Sequence, residues 1–257
     1  MNTTENIYKT KHEGKVYNTK NFGEVVILKY SDCNNVHVKF VKTGFEVNVS
    51  MSQLKTGSVK DRESATVYGV GIVGAERTQN SHGVLKEYDL WKSMLSRCYA
   101  SKSLGRNPTY EDCTVSDNFK YFPYFKEWCN KQIGFGNVGW CLDKDILSKG
   151  SKVYSEDTCC FVPPDINMLL VKCTPTNGNK CVGIYWCSKS KMFKASLSYY
   201  GNAKVVGKYT TEIEAFYAYK QAKESYIKEV ANKWKDQIDS RVYEALMNWG
   251  VKEHFDK

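Results

Sequence analysis

The chain has 257 residues, 42% hydrophobic and 14% aromatic with only five prolines, which provides for packed cores and excludes a disordered polypeptide. Its formal charge of +9 comes almost wholly from lysine and favours a polyanionic partner over a neutral one. No run reaches the ~18–20 apolar residues of a membrane span, and the N-terminus has no apolar segment of the kind that directs secretion, so a cytoplasmic protein with reduced cysteines and no membrane partner is expected.

Residues 1–60 hold three β-branched and aromatic runs, at 25–32, 36–43 and 45–51, separated by Asn34-Asn35 and Thr43-Gly44. Short turn signals between such runs predict a small antiparallel sheet or barrel. His37, Lys39 and Lys42 fall on it, where a solvated face is the simpler reading.

Residues 61–173 begin with an amphipathic helix, in which Tyr88, Trp91, Met94, Leu95 and Cys98 recur at three- and four-residue spacing. Arg97 lies off that stripe. A second helical stripe follows with Phe122, Phe125, Trp128 and Cys129, and Pro123 sits near its start, where a missing N–H is tolerated. Next come a strand (139–143), a loop (145–157), a second strand (158–162) and a helix opened by Pro163-Pro164. Cys33, Cys98, Cys113, Cys129 and Cys173 read as small buried hydrophobes. Only Cys141 and Cys159 suggest a structural zinc; with no CxxC pair, zinc is not expected.

Residues 178–257 follow a polar joint (174–180) that reads as a linker. Three short strands with Ser-Lys and Gly-Asn turns are expected, with Phe193, Ala195 and Leu197 on one face and Lys194, Ser196 and Ser198 on the other. Thr211 and Glu214 form a capping box opening a long helix, whose stripe is Ala215, Ala218, Ala222, Tyr226, Val230 and Trp234. A last helix over 237–249 stops at Gly250. From Lys180 to Lys235 there are eleven lysines against four glutamates, with Tyr185, Trp186, Tyr199 and Tyr200 interleaved. Basic and aromatic side chains on a sheet suit a duplex-docking face; the alternative is a solvated basic sheet.

Trp91, Met94, Arg97 and Cys98, then Phe122, Phe125 and Trp128, then Leu142, Asp143, Tyr154, Ser155, Cys159 and Asn167 resemble the pattern of phage HNH homing endonucleases. Residues Gly183-Ile184, Phe193-Lys194-Ala195, Gly207-Lys208-Tyr209 and the Ala215/Ala218 helix look like an AP2-type DNA-binding domain. The resemblance implies an α+β chain in three modules: an N-terminal β module (1–60), a ββα-metal-like core (61–173) and an AP2-like domain (178–257). It also implies a phage protein in the bacterial cytoplasm that hydrolyses DNA phosphodiester bonds with Mg²⁺ or Mn²⁺.

On that resemblance Asp143 and Asn167 are metal ligands, while Asp143, Lys144 and Asp145 are catalytic. Arg97, Trp186, Lys189, Lys191, Lys194, Lys204 and Lys208 contact double-stranded DNA. The general-base histidine is missing: the four histidines are His12, His37, His82 and His254, and Lys144 stands in that place. A lysine ammonium keeps its proton near neutral pH unless strongly desolvated. Three functions therefore stay open: a nuclease, a DNA-binding protein without hydrolysis, and a phage protein that binds a host defence protein.

Overall fold

The computed structural model describes residues 11–101, 105, 110–170 and 183–252. The expected linker at 174–180, Cys173 and His254 lie outside them. The fold is α+β and divides into two compact units, Met1–Glu127 and Trp128–Lys257. Among the described residues no helix is long and apolar enough to cross a membrane.

The first unit opens with a four-stranded antiparallel sheet of β1 (Val16–Asn18), β2 (Glu24–Asp32), β3 (Asn35–Phe40) and β4 (Glu46–Val49), in that order. Val25, Ile27, Val36, Val38, Phe40 and Val49 alternate inward, as the period of a strand requires, onto helix α1 (Met51–Thr56). Ser50 and Gln53 close a capping box on that helix. Cys33 is exposed in the β2–β3 turn, against the expectation of burial, because two-residue turns leave no interior to enter.

Two small hairpins follow, β5 (Ala65–Val67) with β6 (Gly71–Ile72) and β7 (Gln79–Asn80) with β8 (Gly83–Val84). Helix α2 (Lys86–Tyr99) buries the expected Trp91, Met94, Leu95 and Cys98. After β9 (Thr114–Val115) comes a short α3 (Asp117–Lys120), then an extended Tyr121, then α4 (Phe122–Lys131), which carries the whole expected second stripe. The break lets Phe119 face Phe125 edge-on at 5.1 Å while its carbonyl accepts the Trp91 indole N–H at 2.7 Å. In a continuous helix that carbonyl would have had no partner, because the residue four positions on, Pro123, has no N–H.

In the second unit β10 (Cys141–Asp143) pairs antiparallel with β12 (Cys160–Val162), β11 (Val153–Tyr154) lies in the loop between them, and α5 (Pro164–Leu169) follows. An antiparallel sheet of β13 (Ile184–Cys187), β14 (Met192–Tyr199) and β15 (Asn202–Tyr209) then leads to α6 (Glu212–Trp234) and α7 (Ser240–Met247). One core joins all of this: Ile146, Cys160, Val162 and Ile166 cluster with Ile184, Ala195, Leu197, Phe216, Ile227 and Val242.

Helix α6 is covered by the sheet and also by α5 and α7. Its buried surface is therefore wider than a single stripe. Phe216, Tyr219, Ile227 and Ala231 are buried alongside the expected Ala215, Tyr226 and Val230, whereas Ala218, Ala222 and Trp234 are half-buried.

Candidate nucleic-acid interface and the ββα loop

Strand β10 ends at Asp143, where the chain must leave the sheet for the loop. The Asp143 carboxylate makes that turn by accepting, through Oδ1, the N–H groups of Asp145 (2.8 Å) and Ile146 (2.9 Å). Burial raises its carboxyl above the ordinary carboxylate range, outweighing these two N–H groups, which pull the other way.

Lys144 is buried, its side chain 8% exposed. Its Nζ donates to Asp145 Oδ1 at 2.7 Å and to the Ser151 carbonyl at 2.8 Å, and lies 5.7 Å from the Tyr154 ring centre. Ser148 Oγ donates back to the Lys144 carbonyl at 2.8 Å. The ammonium thus ties the two ends of the loop together. It is a proton donor in both hydrogen bonds, the reverse of what a general base offers.

Asn167 sits on α5, half-buried; its N–H bonds the Pro163 carbonyl at 3.1 Å, and its side chain has no hydrogen-bond partner among the described residues. Helix α5 packs on β10, so Asn167 and Asp143 lie on adjoining elements. Among the described residues no group of three His, Cys, Asp or Glu side chains could hold a metal ion. Asp143 Oδ2 and the Asn167 amide are the donors the motif offers. Cys159 is buried and its thiol is pushed up to about 12 by desolvation, so it makes a poor zinc partner for the exposed Cys141.

The second candidate surface is the sheet β13–β15. Its register sets Tyr185 opposite Lys194 and Lys194 opposite Lys208, one cross-strand row. Ile184, Ala195 and Leu197 are buried on the face toward α6, so the row belongs to the face that α6 leaves uncovered. Lys194 Nζ lies 5.9 Å from the Tyr185 ring centre. Lys189 and Lys191 are exposed in the β13–β14 turn beside this face, with Lys191 in the left-handed region at φ 50°.

Three expected contacts fall elsewhere. Trp186 is 51% exposed but alternates to the α6 side, edge-on to Phe193 at 4.9 Å. A bulge between Ala195 and Ser196 shifts the register, and Lys204 pairs with the inward Leu197; its Nζ rests over Tyr199, whose hydroxyl donates to Glu229 of α6. Arg97 lies in the other unit, in the last turn of α2, with its guanidinium 5.9 Å from the Tyr110 ring centre.

Of the loop at 132–140 the sequence predicts only Gly139 and Trp140 in an element, a strand that in fact begins at Cys141. The loop's signal was present: apolar residues set among three glycines, Gly134, Gly136 and Gly139. Compared with protein-family models, characterised proteins and solved structures, the chain matches none.

Proposed function

We propose that the chain is a DNA-binding protein that docks on duplex DNA through the uncovered face of β13–β15. One observation carries this reading: Tyr185, Lys194 and Lys208 form a row across three strands, flanked by Lys189 and Lys191 in the adjoining turn. Ammonium groups on one open face of a sheet can contact the phosphate backbone and gain affinity by releasing condensed counterions. In this reading the ββα loop is a brace, since Lys144 and Asp143 are engaged with their own backbone. The DNA partner belongs with a bacterial cytoplasm and a phage origin, the setting that the HNH and AP2-type resemblance implies.

The test is a gel-shift titration of the whole chain on duplex DNA at several salt concentrations. Salt-dependent binding that the double substitution Lys194→Ala, Lys208→Ala abolishes supports the proposal. Unaltered binding by that variant removes the sheet from the interface.

A second reading, metal-dependent hydrolysis, is favoured by Asp143 and Asn167 being brought to adjoining elements in strand–loop–strand–helix order. They would hold a Mg²⁺ or Mn²⁺ ion, which when bound supplies charge stabilisation at the phosphate and leaving oxygen. Asp145, half-exposed, is then the acceptor left to orient water, because Lys144 keeps its proton in the pair. Nicking of supercoiled DNA that needs the ion and is lost in Asp143→Ala would establish this reading.

A further inference from the structure

Resting on the docking proposal above, we propose that the β14–β15 ribbon reads thymine: Val205, with Ala203 on the same face, covers C5-methyl groups that A·T pairs present in the major groove. Val205 is 54% exposed, on the last strand of the sheet. A lone exposed valine at such a place is ordinary. What gives this one a role is the register, which sets it on the docking face, and the neutral surface around it.

Ala195 and Leu197 are buried toward α6, so Lys194, Ser196 and Ser198 share the uncovered face of β14. Ser196 is the next residue on that face after Lys194, about 7 Å along the strand. Directly opposite residues of a ladder lie on one face, and the partners of Ser196 and Ser198 are Val205 and Ala203. Unbroken pairing from Lys194–Lys208 and Ala195–Gly207 would have set Val206 opposite Ser196 and Lys204 opposite Ser198. The bulge at Val206 moves each by one residue. Val206 packs against the core, Lys204 leaves the docking face, and Val205 and Ala203 take their places. The bulge thus removes an ammonium from this part of the face, and bulges often re-aim side chains beside functional sites.

The uncovered face is thereby divided in two. One part carries Tyr185, Lys194 and Lys208, the other Ser196, Ser198, Ala203 and Val205, all small and uncharged. Ser198 and Ala203 are exposed and Ser196 is half-buried. Phosphate contacts position a protein on a duplex, whereas sequence is read at the base edges, so the uncharged part is the one fitted to read. It is also narrow. Among the described residues β13 pairs only with residues 192–195 of β14, and past Ser196 the ladder continues as β14 and β15. A two-stranded ribbon is what the major groove, about 12 Å wide, admits. There an apolar side chain finds one apolar partner, the thymine methyl. Against a G·C pair the same valine would desolvate the cytosine amino group or guanine O6 and return no hydrogen bond. The Ser196 and Ser198 hydroxyls, able to donate or accept, suit either base edge beside it.

The test is a titration of the full chain, read by fluorescence anisotropy, on a short alternating A·T duplex and on the same duplex with uracil in place of thymine. Uracil lacks only the C5-methyl group and keeps the hydrogen-bonding edges. The chain is used as wild type, Val205→Ser, Val205→Ile and the Lys194→Ala, Lys208→Ala pair. Wild type and Val205→Ile bind the thymine duplex more tightly by about fourfold or more, the effect of taking one methyl out of water. Val205→Ser binds both duplexes alike and keeps the wild-type slope of log affinity against log salt, because Lys194 and Lys208 are untouched. Equal binding of the two duplexes by wild type, or a preference that Val205→Ser retains, overturns the thymine reading and leaves the docking proposal standing. Full binding by the lysine pair overturns the docking proposal and the thymine reading that rests on it. A wild type that binds neither duplex also overturns both.

Discussion

Lys144 and Asp145 are neighbours in sequence and an ion pair in space, with Nζ and Oδ1 2.7 Å apart, the lysine side chain 8% exposed and the aspartate 50%. The asymmetry decides which partner matters for the fold. Asp145 can be solvated if its partner is lost, whereas the buried ammonium also serves the Ser151 carbonyl. Lys144→Met keeps the side-chain volume and removes both donors. It should cost about 2 kcal/mol in urea unfolding, below the 3–5 typical of a fully buried pair, and leave duplex binding unchanged. A variant as stable as wild type would show that the loop is held by other contacts.

On the sheet, geometry separates lysines that composition groups together. Lys194 and Lys208 share the uncovered face with Tyr185, while Lys204 is engaged with Tyr199 on the α6 side. Lys194→Ala and Lys208→Ala should each weaken duplex binding across sequences and lower the slope of log affinity against log salt by about 0.9. Lys204→Ala should leave that slope nearly unchanged. A similar loss at all three positions would mean that DNA wraps the edge of β15.

Much of this fold was legible because its signals are local. Strand alternation, the Thr211–Glu214 capping box and the Trp91–Cys98 stripe depend on neighbours a few residues apart, and each formed where expected. What was not legible depends on distant chain. The bulge that turns Lys204 to the α6 side is marked only by Gly207 inside the strand, a signal that does not say which residues change face. The extra burial on α6 comes from α5 and α7 covering it as well as the sheet. In the candidate site the strand–loop–strand–helix order could be read, but the capture of Lys144 by Ser151, seven residues on, could not.

Cysteine reactivity should divide by position. The Cys187 thiol, at the end of β13, is lowered to about 7 by the polar groups of Ser190 beside it, although Ser190 Oγ makes no hydrogen bond of ordinary geometry, with Lys194 adding to the effect. Burial pushes Cys159 up to about 12 and Cys160 higher still. Pulse labelling with iodoacetamide, read by mass spectrometry, should modify Cys187 with a rate that rises through about pH 7 and then levels off. Cys159 and Cys160 should stay unmodified until the protein unfolds. Labelling of Cys159 at the Cys187 rate would mean that β12 opens readily.

Gly183 precedes β13 at φ 79°, where a Cβ would lie 2.4 Å from the Tyr219 ring and 2.7 Å from the Ser196 carbonyl. Its own carbonyl accepts the Ser196 N–H at 2.7 Å, so the backbone cannot retreat without losing a sheet contact. Gly183→Ala combines left-handed strain with overpacking and should cost at least about 2 kcal/mol in urea unfolding. A loss below about 0.5 kcal/mol would place Tyr219 further from the strand than this packing requires.

Asp143 gives the sharpest pH test. Its carboxyl is raised by burial, so the folded chain takes up this proton at a higher pH than the unfolded chain does. Between the ordinary carboxylate range and the raised value the folded state holds more protons, and this group's contribution to stability falls as pH rises through that window. Asp143→Asn keeps an oxygen to accept the Asp145 and Ile146 N–H groups and removes the desolvated charge. It should therefore unfold at higher urea than wild type near neutral pH, with the gap closing toward about pH 4. Asp143→Ala leaves both N–H groups without their acceptor and should lose about 1–2 kcal/mol across the range. If Asp143→Asn is instead less stable than wild type near neutral pH, the buried charge is compensated, and a Mg²⁺-dependent rise in wild-type stability that the Asn variant lacks would identify the compensating group as a bound ion.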